Sequence, residues 1–414
     1  MIKFIFIIYS IFSLLMNISF IKSDETIDEM TGDQNSDITH EKSKYFSENN
    51  LNFKKKWQKF YELIESGNQL IKRLNESESN PKKCSPFLPF LYQDLQPFNE
   101  TGITREVIEE ALSHKRGIHY QIISHSLYRE NDCLFPSRCE GVEHFILEAI
   151  DEMPDMDLII NVRDYPQVHK SWHNLPVLSF SKDVNQYMDV LYPAWTFWSG
   201  GPAIDRYPTG IGRWDLMRQK IIKNSVKWSE KSSIAFFRGS RTSAERDPLI
   251  RLSRAKPELI DAQYTANQAW RSVADTLGEQ PAPTVTFEEQ CRYKYLFNMR
   301  GVSASFRYKH LFLCKSLVLN VDSDWIEFFY PELKPWVHFI PIAKDYSDLE
   351  EKLMFLSEND EIAQNIAQNG FNFIWNHLTL DSVQCYWTQL LDSYSKLLKY
   401  EPKLNKNLIK IKKK

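Results

Sequence analysis

The sequence has little net charge and none of the common nucleotide-binding signatures. Its 414 residues include 51 Lys and Arg against 54 Asp and Glu, which leaves a net charge of −3 at pH 7. No chain-wide basic field is therefore available to hold nucleic acid or acidic lipid. The P-loop sequence G-x-x-x-x-G-K-[ST] and the dinucleotide-binding sequence G-x-G-x-x-G are both absent, which argues against P-loop hydrolysis and nicotinamide binding.

Long apolar runs are missing after the first two dozen residues, so no later stretch reaches the ~20 apolar residues of a transmembrane helix. Residues 1–23 place one Lys before an apolar run and then small and polar residues, the layout of a signal peptide. An uncleaved membrane anchor is the alternative. Residues 24–50 are polar and nearly free of large apolar groups, which predicts a disordered linker.

Metal-binding and redox signatures are also lacking. The six cysteines form no C-x-x-C pair, and the ten histidines form no H-E-x-x-H sequence. An even number of cysteines without such pairs favours three disulfides in an oxidising compartment over a zinc site. Spacing alone leaves their pairing open.

What the sequence does contain is an alternation of β-rich and helical segments. Strands are predicted over 157–162, 177–180, 233–237, 293–299 and 316–321, with helices over 55–74, 143–150, 248–254 and 305–314. A segment rich in Gly, Pro and aromatic residues, 194–212, separates two halves. The pattern predicts a two-domain α/β protein with parallel sheets, whose chemistry lies at the carboxyl ends of strands.

Two loops have the composition of an anion-binding site. The first, after the strand at 233–237, combines Gly239 with three arginines, and Thr242 and Glu245 fit a capping box at the following helix. The second repeats this composition from Arg300 to Arg307. Two such loops suit a nucleotide diphosphate, because guanidinium and helix N–H groups neutralise phosphate oxygens. A solvated charged loop is the alternative interpretation of the first.

Asp164 directly follows the strand at 157–162 and precedes Tyr165 and Pro166. A carboxylate there could act as a general base, although an Asp in a turn before Pro is the more common case on composition alone. A competing hypothesis places a divalent metal on Asp322 and Asp324, since an Asp-x-Asp pair can hold a metal against a nucleotide diphosphate.

The acceptor side offers weaker signals. Cys133 and Cys139 enclose a short loop that could serve recognition. An aromatic group could line a groove or simply belong to the core: Tyr192, Trp195, Phe197, Trp198 and Tyr207. The terminal sequence LIKIKKK is expected to be a solvated basic tail.

The blocks NDCLFPSRCEGVEHF, INVRDYPQV, FFRGSRTSAERDPLI and KYLFNMRGVSASFRYKHLFLC, with YPAWTFWSGGPA and EFFYPELKPWVHFIP, resemble one family over about 84–394. They are similar to the protein O-glucosyltransferases of the Rumi type, in the KDEL-motif/CAP-like glycosyltransferase family. The resemblance implies a lumenal enzyme of the endoplasmic reticulum that transfers glucose from UDP-glucose to Ser in the Cys-x-Ser-x-Pro/Ala-Cys sequence of EGF-like domains, as in Notch-type receptors. It further implies an inverting mechanism, no metal or other cofactor, and a monomer.

The fold that the resemblance implies is GT-B, with two Rossmann-like domains facing a cleft. Residues 51–212 would form the acceptor domain and 213–380 the nucleotide-sugar domain. Residues 381–400 would form a helix that packs back on the first domain, and 401–414 the basic tail. The six cysteines would pair as Cys133 with Cys139, Cys291 with Cys314 and Cys84 with Cys385.

The resemblance assigns Asp164 as the catalytic base. The positions that match donor contacts of the family are Ser240, Arg246, Val302, Ser303, Ala304, Ser305, Phe306 and Arg307. The positions that match acceptor contacts are Leu134, Phe135, Pro136, Ser137, Arg138, Ala203, Ile204, Asp205, Arg206, Tyr207, Pro208 and Gln268.

The sequence departs from the family in three places. Two cysteines that relatives carry near Cys84 are absent, and the stretch 203–208 is one residue shorter than in relatives with a Trp there. The chain ends in KIKKK rather than a KDEL-like tetrapeptide. Two alternatives to glucose transfer stay open: xylose transfer from UDP-xylose, because one hydroxymethyl group is worth only a few kcal/mol in a pocket, and a non-catalytic lectin or chaperone that binds EGF-like modules.

Overall fold

Two β-sheets with helices packed against them make up the protein, for which a computed structural model describes residues 55–77, 84–198, 200–201 and 206–413. The helices are α1 (Gln58–Ser77), α2 (Leu88–Leu95), α3 (Phe98–Thr101), α4 (Arg105–Ser113), α5 (Pro136–Ala149), α6 (Trp214–Lys223), α7 (Asp247–Ala255), α8 (Phe287–Gln290), α9 (Tyr308–Phe312), α10 (Leu349–Glu358), α11 (Asp360–His377) and α12 (Leu380–Ser395). The strands are β1 (Ile118–Ile123), β2 (Ser126–Arg129), β3 (Met156–Asn161), β4 (Val177–Ser179), β5 (Lys182–Asp183), β6 (Val190–Leu191), β7 (Ser232–Gly239), β8 (Ile260–Tyr264), β9 (Tyr293–Asn298), β10 (Leu317–Val321), β11 (Trp325–Ile326), β12 (Ile340–Ile342) and β13 (Ile409–Ile411).

The predicted signal peptide at 1–23, the predicted linker at 24–50 and the candidate acceptor residues Ala203, Ile204 and Asp205 lie outside the described residues. Within the described part of the chain, no helix is long and apolar enough to cross a membrane.

The first sheet has the order β13-β2-β1-β3-β4-β6. Its strands β3, β4 and β6 are parallel, as predicted, but β1 pairs antiparallel with both β2 and β3. The β1–β2 hairpin was not predicted. Its turn places Ser124 and His125 at φ +47° and +54°, where glycine or asparagine is the usual signal of a tight hairpin.

The second sheet is parallel throughout, in the order β12-β10-β9-β7-β8. Its strands β7, β9 and β10 confirm the predicted segments 233–237, 293–299 and 316–321 within a few residues. The helix predicted over 305–314 is shorter, because α9 begins at Tyr308. Ser305 and Arg307 therefore precede the helix, in the loop that follows β9.

A small two-stranded sheet of β5 and β11 joins the segments that follow β4 and β10. The backbone N–H of Val184 also donates to the Asp324 carbonyl at 3.0 Å. The carboxyl ends of β4 and β10 are thereby tied to each other. The mixed α/β architecture with parallel strands is confirmed, and its division into two Rossmann-like domains stays a prediction.

The carboxyl-terminal segment returns to the first sheet. Gln384 of α12 donates to the Phe145 carbonyl of α5 at 3.0 Å, and Tyr386 donates to the Leu191 carbonyl at 3.2 Å. Beyond α12, β13 pairs antiparallel with β2. The sequence predicts a solvated basic tail for this segment. It forms a strand instead because Ile409 and Ile411 extend an open sheet edge.

The disulfides are the three pairs that the family resemblance implied: Cys84–Cys385, Cys133–Cys139 and Cys291–Cys314. The first connects the segment before α2 to α12, across 301 residues of sequence. No described cysteine is free.

Candidate active site

Asp164 lies in the turn that follows β3, and a buried asparagine shapes that turn. The Asn161 side chain accepts a hydrogen bond from the Arg163 backbone N–H at 3.0 Å and donates to the Tyr165 carbonyl at 2.7 Å. Asn161 is 1% exposed, whereas the Asp164 side chain is 47% exposed. The buried Asn161 side chain therefore fixes the backbone of the turn, while the Asp164 carboxylate is partly exposed to solvent. Asn161 is not among the residues predicted from the sequence, although an Asn at the end of an apolar strand is a signal for such a turn.

Arg138 orients the Asp164 carboxylate. Its Nη1 lies 3.1 Å from Asp164 Oδ1 and donates to the Val162 carbonyl at 2.7 Å. The guanidinium lies 4.1 Å from the Phe135 ring and 4.6 Å from the Trp195 ring. Contact with both rings limits the guanidinium to one orientation.

Three other residues of the loop between Cys133 and Cys139 are exposed to solvent. Leu134 is 69% exposed, Pro136 begins α5, and Pro136 and Ser137 are both exposed. Arg138 of the same loop contacts Asp164 at 3.1 Å. The structure thus brings the predicted acceptor segment 134–138 together with Asp164.

Arg246 and Arg307 form the centre of the candidate donor site. Arg246 is 4% exposed and donates to backbone carbonyls, at 2.8 Å to Arg300 and at 2.7 Å to Ser240. Arg307 Nη1 donates to the Arg238 carbonyl at 2.8 Å, while its buried Nε has no hydrogen-bond partner among the described residues.

The electrostatics of this pair favour an anion. Burial lowers the pKa of Arg246 to about 10, and burial together with the neighbouring Arg246 lowers the pKa of Arg307 to about 9. Both guanidinium groups stay charged at neutral pH, and neither forms an ion pair with a described carboxylate. A bound anion would offset the cost of burying two like charges.

The other arginines of the same loops are already neutralised. Arg238 pairs with Asp261 at 2.8 Å, Arg241 with Asp247 at 2.6 Å, and Arg300 with Glu245 at 2.7 Å. The predicted capping box of Thr242 and Glu245 is wrong. Ser243 caps this turn by accepting from the Glu245 N–H at 3.2 Å, because the Glu245 carboxylate is taken up by Arg300.

The segment 302–307 connects the two sheets. Ala304 N–H donates to Ser181 Oγ at 3.2 Å, and the Ser305 carbonyl accepts from Tyr330 at 3.1 Å. Phe306 stacks on Phe180 with ring centroids 5.0 Å apart. Ser303 is buried, whereas Val302 is 45% exposed.

Trp195 joins the base to the donor segment. The Arg138 guanidinium lies 4.6 Å from the Trp195 ring, and the Trp195 ring centroid is 5.7 Å from that of Phe306. A second connection runs through Trp325, which lies 5.0 Å from the Tyr165 ring and 5.6 Å from the Arg300 guanidinium. The predicted base and the predicted donor loop are therefore linked by two sets of side-chain contacts.

The structure places the remaining acceptor candidates in other surroundings. Tyr207 is buried and donates to Glu288 at 2.8 Å, Arg206 pairs with Glu289 at 3.2 Å, and Pro208 is exposed. Gln268 is exposed in the loop after β8. Of the aromatic group that could line a groove, Tyr192, Trp195 and Phe197 are at most 1% exposed, so they belong to the core.

The carboxylates of the metal hypothesis are half-buried at most. Burial raises the pKa of Asp322, with Lys352 opposing and Asp348 and Asp324 reinforcing this effect. The described residues contain no group of three or more His, Cys, Asp or Glu side chains that could hold a metal ion.

Comparisons with known proteins identify the family of this chain. Residues 79–414 match the family described as Glycosyl transferase family 90. Protein O-glucosyltransferase 1 of Rattus norvegicus is 53% identical over 361 residues, 86% of this chain and 90% of the relative. The Homo sapiens protein of that name is 54% identical over 83% of this chain and 87% of the relative. O-glucosyltransferase rumi of Drosophila melanogaster is 54% identical over 81% and 82%.

Among solved structures, Anabaena Alr3699/HepE in complex with UDP-glucose matches with a TM-score of 0.27 and 11% identity, over 42% of this chain and 45% of that chain. That similarity is too low to inform the fold or the site. The family match and the relatives each span most of the chain at high identity. The chain therefore belongs to glycosyl transferase family 90, with the protein O-glucosyltransferases of the Rumi type, and is a glycosyltransferase.

Proposed function

We propose that this enzyme transfers glucose from UDP-glucose to the Ser hydroxyl in the Cys-x-Ser-x-Pro/Ala-Cys sequence of folded EGF-like domains, such as those of Notch-type receptors. The names of the relatives support glucose as the sugar and a protein as the acceptor. The observation that carries the proposal is a pair of guanidinium groups without carboxylate partners among the described residues, on the buried Arg246 and the half-buried Arg307. Phe306 and Trp195 join this pair to the Asp164 turn.

In the proposed reaction Asp164 acts as the general base. The Ser Oγ attacks the anomeric carbon of the α-linked donor, the bond from that carbon to the diphosphate oxygen breaks, and the Ser proton passes to the Asp164 carboxylate. A single displacement of this kind gives β-linked glucose with inversion. The 47% exposure of the Asp164 side chain leaves room for an acceptor serine.

Arg246 and Arg307 would stabilise the charge that develops on the departing UDP. Their backbone hydrogen bonds hold both guanidinium groups before the substrate arrives, so little reorganisation is needed as the bond breaks. Two fixed cations can supply the charge that a divalent metal supplies elsewhere, and we propose a metal-independent enzyme on that ground.

We further propose that the protein works as a monomer in the lumen of the endoplasmic reticulum. Three disulfides that use all six cysteines support an oxidising compartment. Disulfide-bonded EGF-like acceptors fold in that same compartment.

The test measures transfer to a folded EGF-like domain that carries Cys-x-Ser-x-Pro-Cys. Purified enzyme is incubated with UDP-glucose or UDP-xylose in EDTA, and the intact mass of the acceptor is read. A hexose increment with the natural enzyme, reduced at least about 10³-fold in rate by Asp164→Asn, is expected. Asp151→Asn, at an exposed carboxylate on the turn before β3, is the matched control and should transfer normally.

Three results would count against the proposal. Normal turnover by Asp164→Asn would remove the assigned base. A pentose increment alone would change the donor to UDP-xylose. Activity that is absent in EDTA and returns with Mn²⁺ would favour the hypothesis of a metal on Asp322 and Asp324.

A further inference from the structure

A group of cations lies on the loops around the Asp164 turn. These cations are far in sequence from Arg246 and Arg307. The group comes from two loops: the turn after α4 carries Lys115 and Arg116, and the loop after β3 carries Arg163 and Lys170. Arg163 Nη1 donates to the Lys115 carbonyl at 3.4 Å, so the two loops touch. We call these four residues, with Trp172, the basic surface.

The four cations lack carboxylate partners. None forms an ion pair with any residue in the described ranges. The two carboxylates nearest in sequence are already engaged, Glu110 by His173 at 2.6 Å and Asp164 by Arg138 at 3.1 Å. Lys170 Nζ donates to the Val184 backbone carbonyl at 2.7 Å, which leaves its charge uncompensated. Since the whole chain has a net charge of −3, four cations on two adjoining loops without carboxylate partners in the described ranges are a local feature and not a consequence of composition.

Two of these cations have structural features that a freely solvated residue would not require. One packs on an aromatic ring, and the other has a strained backbone conformation. Arg116 lies 4.2 Å over the Trp172 ring, and its buried Nε has no hydrogen-bond partner among the described residues. Lys115, in the turn after α4, lies in the left-handed region at φ +52°, a position where glycine is usual and a side chain costs about 1 kcal/mol. The chain keeps a long cation at this strained position.

Large aromatic rings lie among the cations. Trp172 is 46% exposed although Arg116 covers part of it, and Tyr165, next to the base, is 44% exposed. Exposed Trp and Tyr rings beside arginines are the usual anchors of a protein interface. Positive charge around them predicts a partner that carries negative charge.

We propose that the basic surface docks the acidic face of the folded acceptor protein while the acceptor serine reaches Asp164. The inference rests on the proposed function, because that function requires an acceptor protein at Asp164. Its position supports this partner: Arg163 and Tyr165 are the immediate chain neighbours of the base, so whatever presents a serine to Asp164 must also cover part of this surface.

The experiment compares Lys115→Glu/Lys170→Glu with the matched control Lys223→Glu/Lys227→Glu, which reverses two exposed lysines at the end of α6 and after it. The acceptor is an EGF-like domain with several surface Asp and Glu residues, made also in a form with those residues changed to Asn and Gln. Initial rates are measured against acceptor concentration at 50 mM and 500 mM NaCl.

We expect the first variant to raise the acceptor KM about tenfold at 50 mM NaCl, with a much smaller rise at 500 mM, since salt screens exposed charges. The kcat and the donor KM should change little. With the neutralised acceptor, the natural enzyme and the variant should have the same acceptor KM. The control variant should behave as the natural enzyme with both acceptors.

An unchanged acceptor KM at low salt would overturn the proposal. An equal penalty with the acidic and the neutralised acceptor would also overturn it, because the effect would then be structural. Binding of the natural enzyme to phosphatidylserine vesicles, lost in the first variant while the acceptor KM is unchanged, would assign the surface to lipid instead.

The proposal and the proposed function can fail separately. If the natural enzyme transfers no sugar, the function fails, and direct binding of the same two acceptors by calorimetry still tests the surface. Binding of the acidic acceptor that Lys115→Glu/Lys170→Glu weakens about tenfold would support docking, and equal binding by both enzymes would exclude it. Trp172→Ala, which alters no charge, should weaken binding at both salt concentrations.

Discussion

Arg138 and Asp164 share an ion pair in which the arginine is itself held between two aromatic rings. The Nη1–Oδ1 distance is 3.1 Å, and the same Nη1 also bonds the Val162 carbonyl. Lysine lacks the planar guanidinium that packs against the Phe135 and Trp195 rings.

Arg138→Lys is therefore expected to lower kcat about 10- to 100-fold, because a misplaced base loses much of its catalytic contribution. The donor KM should stay near its natural value. Steady-state rates with varied UDP-glucose measure both. Arg129→Lys, at another half-buried arginine paired with a carboxylate, is the control for general loss of structure. A natural kcat in Arg138→Lys would show that this ion pair does not position the base.

Gly239 leaves space for the Arg307 guanidinium. A methyl group at this glycine would lie 2.5 Å from Arg307 Nη2, and the backbone of Gly239 is not in the left-handed region. Gly239→Ala should thus fold and displace the guanidinium. We expect the donor KM to rise at least about tenfold, since a hydrogen bond to a charged group contributes about 1.5–3 kcal/mol.

Gly301→Ala provides a graded comparison, because its methyl group would lie 3.0 Å from Thr242 Oγ1 and 3.3 Å from Arg246 Nη2. Its effect on the donor KM should be smaller than that of Gly239→Ala. UDP affinity measured by calorimetry should follow the same order. The reverse order would contradict the role given to Arg307.

Lys309 and Glu327 are buried side chains of opposite charge beneath the candidate donor segment, and they interact electrostatically without a direct hydrogen bond among the described residues. Lys309 Nζ lies 3.4 Å from Thr196 Oγ1 and 4.7 Å from the Phe197 ring centroid. Neither carboxylate oxygen of Glu327, which is 0% exposed, has a hydrogen-bond partner in the described part of the chain. Burial raises the pKa of Glu327 to about 7 while Lys309 lowers it.

Lys309→Met should reduce the free energy of unfolding by about 3–5 kcal/mol, because it leaves a buried charge unpaired. The loss should be larger at pH 8 than at pH 6, where Glu327 can take up a proton. Urea denaturation at the two pH values measures this. Lys309→Met/Glu327→Leu removes both charges and should recover most of the stability, and a double variant as unstable as the single one would disprove the pairing.

His338 is buried as a neutral imidazole. Its Nδ1 accepts a hydrogen bond from the Lys334 N–H at 2.9 Å. Burial, with Lys334 and His377 adding to it, lowers the pKa of His338 to about 4. The unfolded chain takes up this proton near pH 6.5, so the native state loses stability as the pH falls from 6.5 toward 4, by up to about 3 kcal/mol.

His338→Asn keeps an acceptor for the Lys334 N–H and cannot be protonated. Its free energy of unfolding should therefore fall less steeply than that of the natural protein between pH 6.5 and 4. Urea midpoints across this range test the expectation. Curves that stay parallel would show that another group is responsible for the acid sensitivity.

Much of the site could be predicted from local sequence, because its parts are short and each follows a strand. A β-rich run that ends in polar residues predicts each of these positions: Asp164 after β3, Arg246 after β7 and Arg307 after β9. The proximity of Arg246 and Arg307 could be expected from the rule that parallel strands of one sheet present their carboxyl ends at the same edge. That rule does not cover Asp164, because β3 belongs to the other sheet. The pairing of Cys84 with Cys385 came only from the family resemblance, since 301 residues separate the two.

Other parts could not be predicted, because they depend on contacts between distant segments. The sequence showed five arginines in two loops, and only the tertiary contacts of Glu245, Asp247 and Asp261 show that three of them are neutralised. The β1–β2 hairpin escaped prediction because Ser124 and His125 adopt positive φ without a glycine signal.

The sequence alone determined the elements whose cause is local: the apolar strands, the polar turns that end them and the residue types of the candidate diphosphate site. The tertiary structure decided which charges remain available for a ligand and that Trp195 joins the candidate base to the candidate donor segment. It also decided that the two loops that carry four cations without carboxylate partners in the described ranges touch beside Asp164. The physical reason is that hydrophobic periodicity acts within a few residues, whereas burial and charge pairing depend on what the fold brings within a few ångströms.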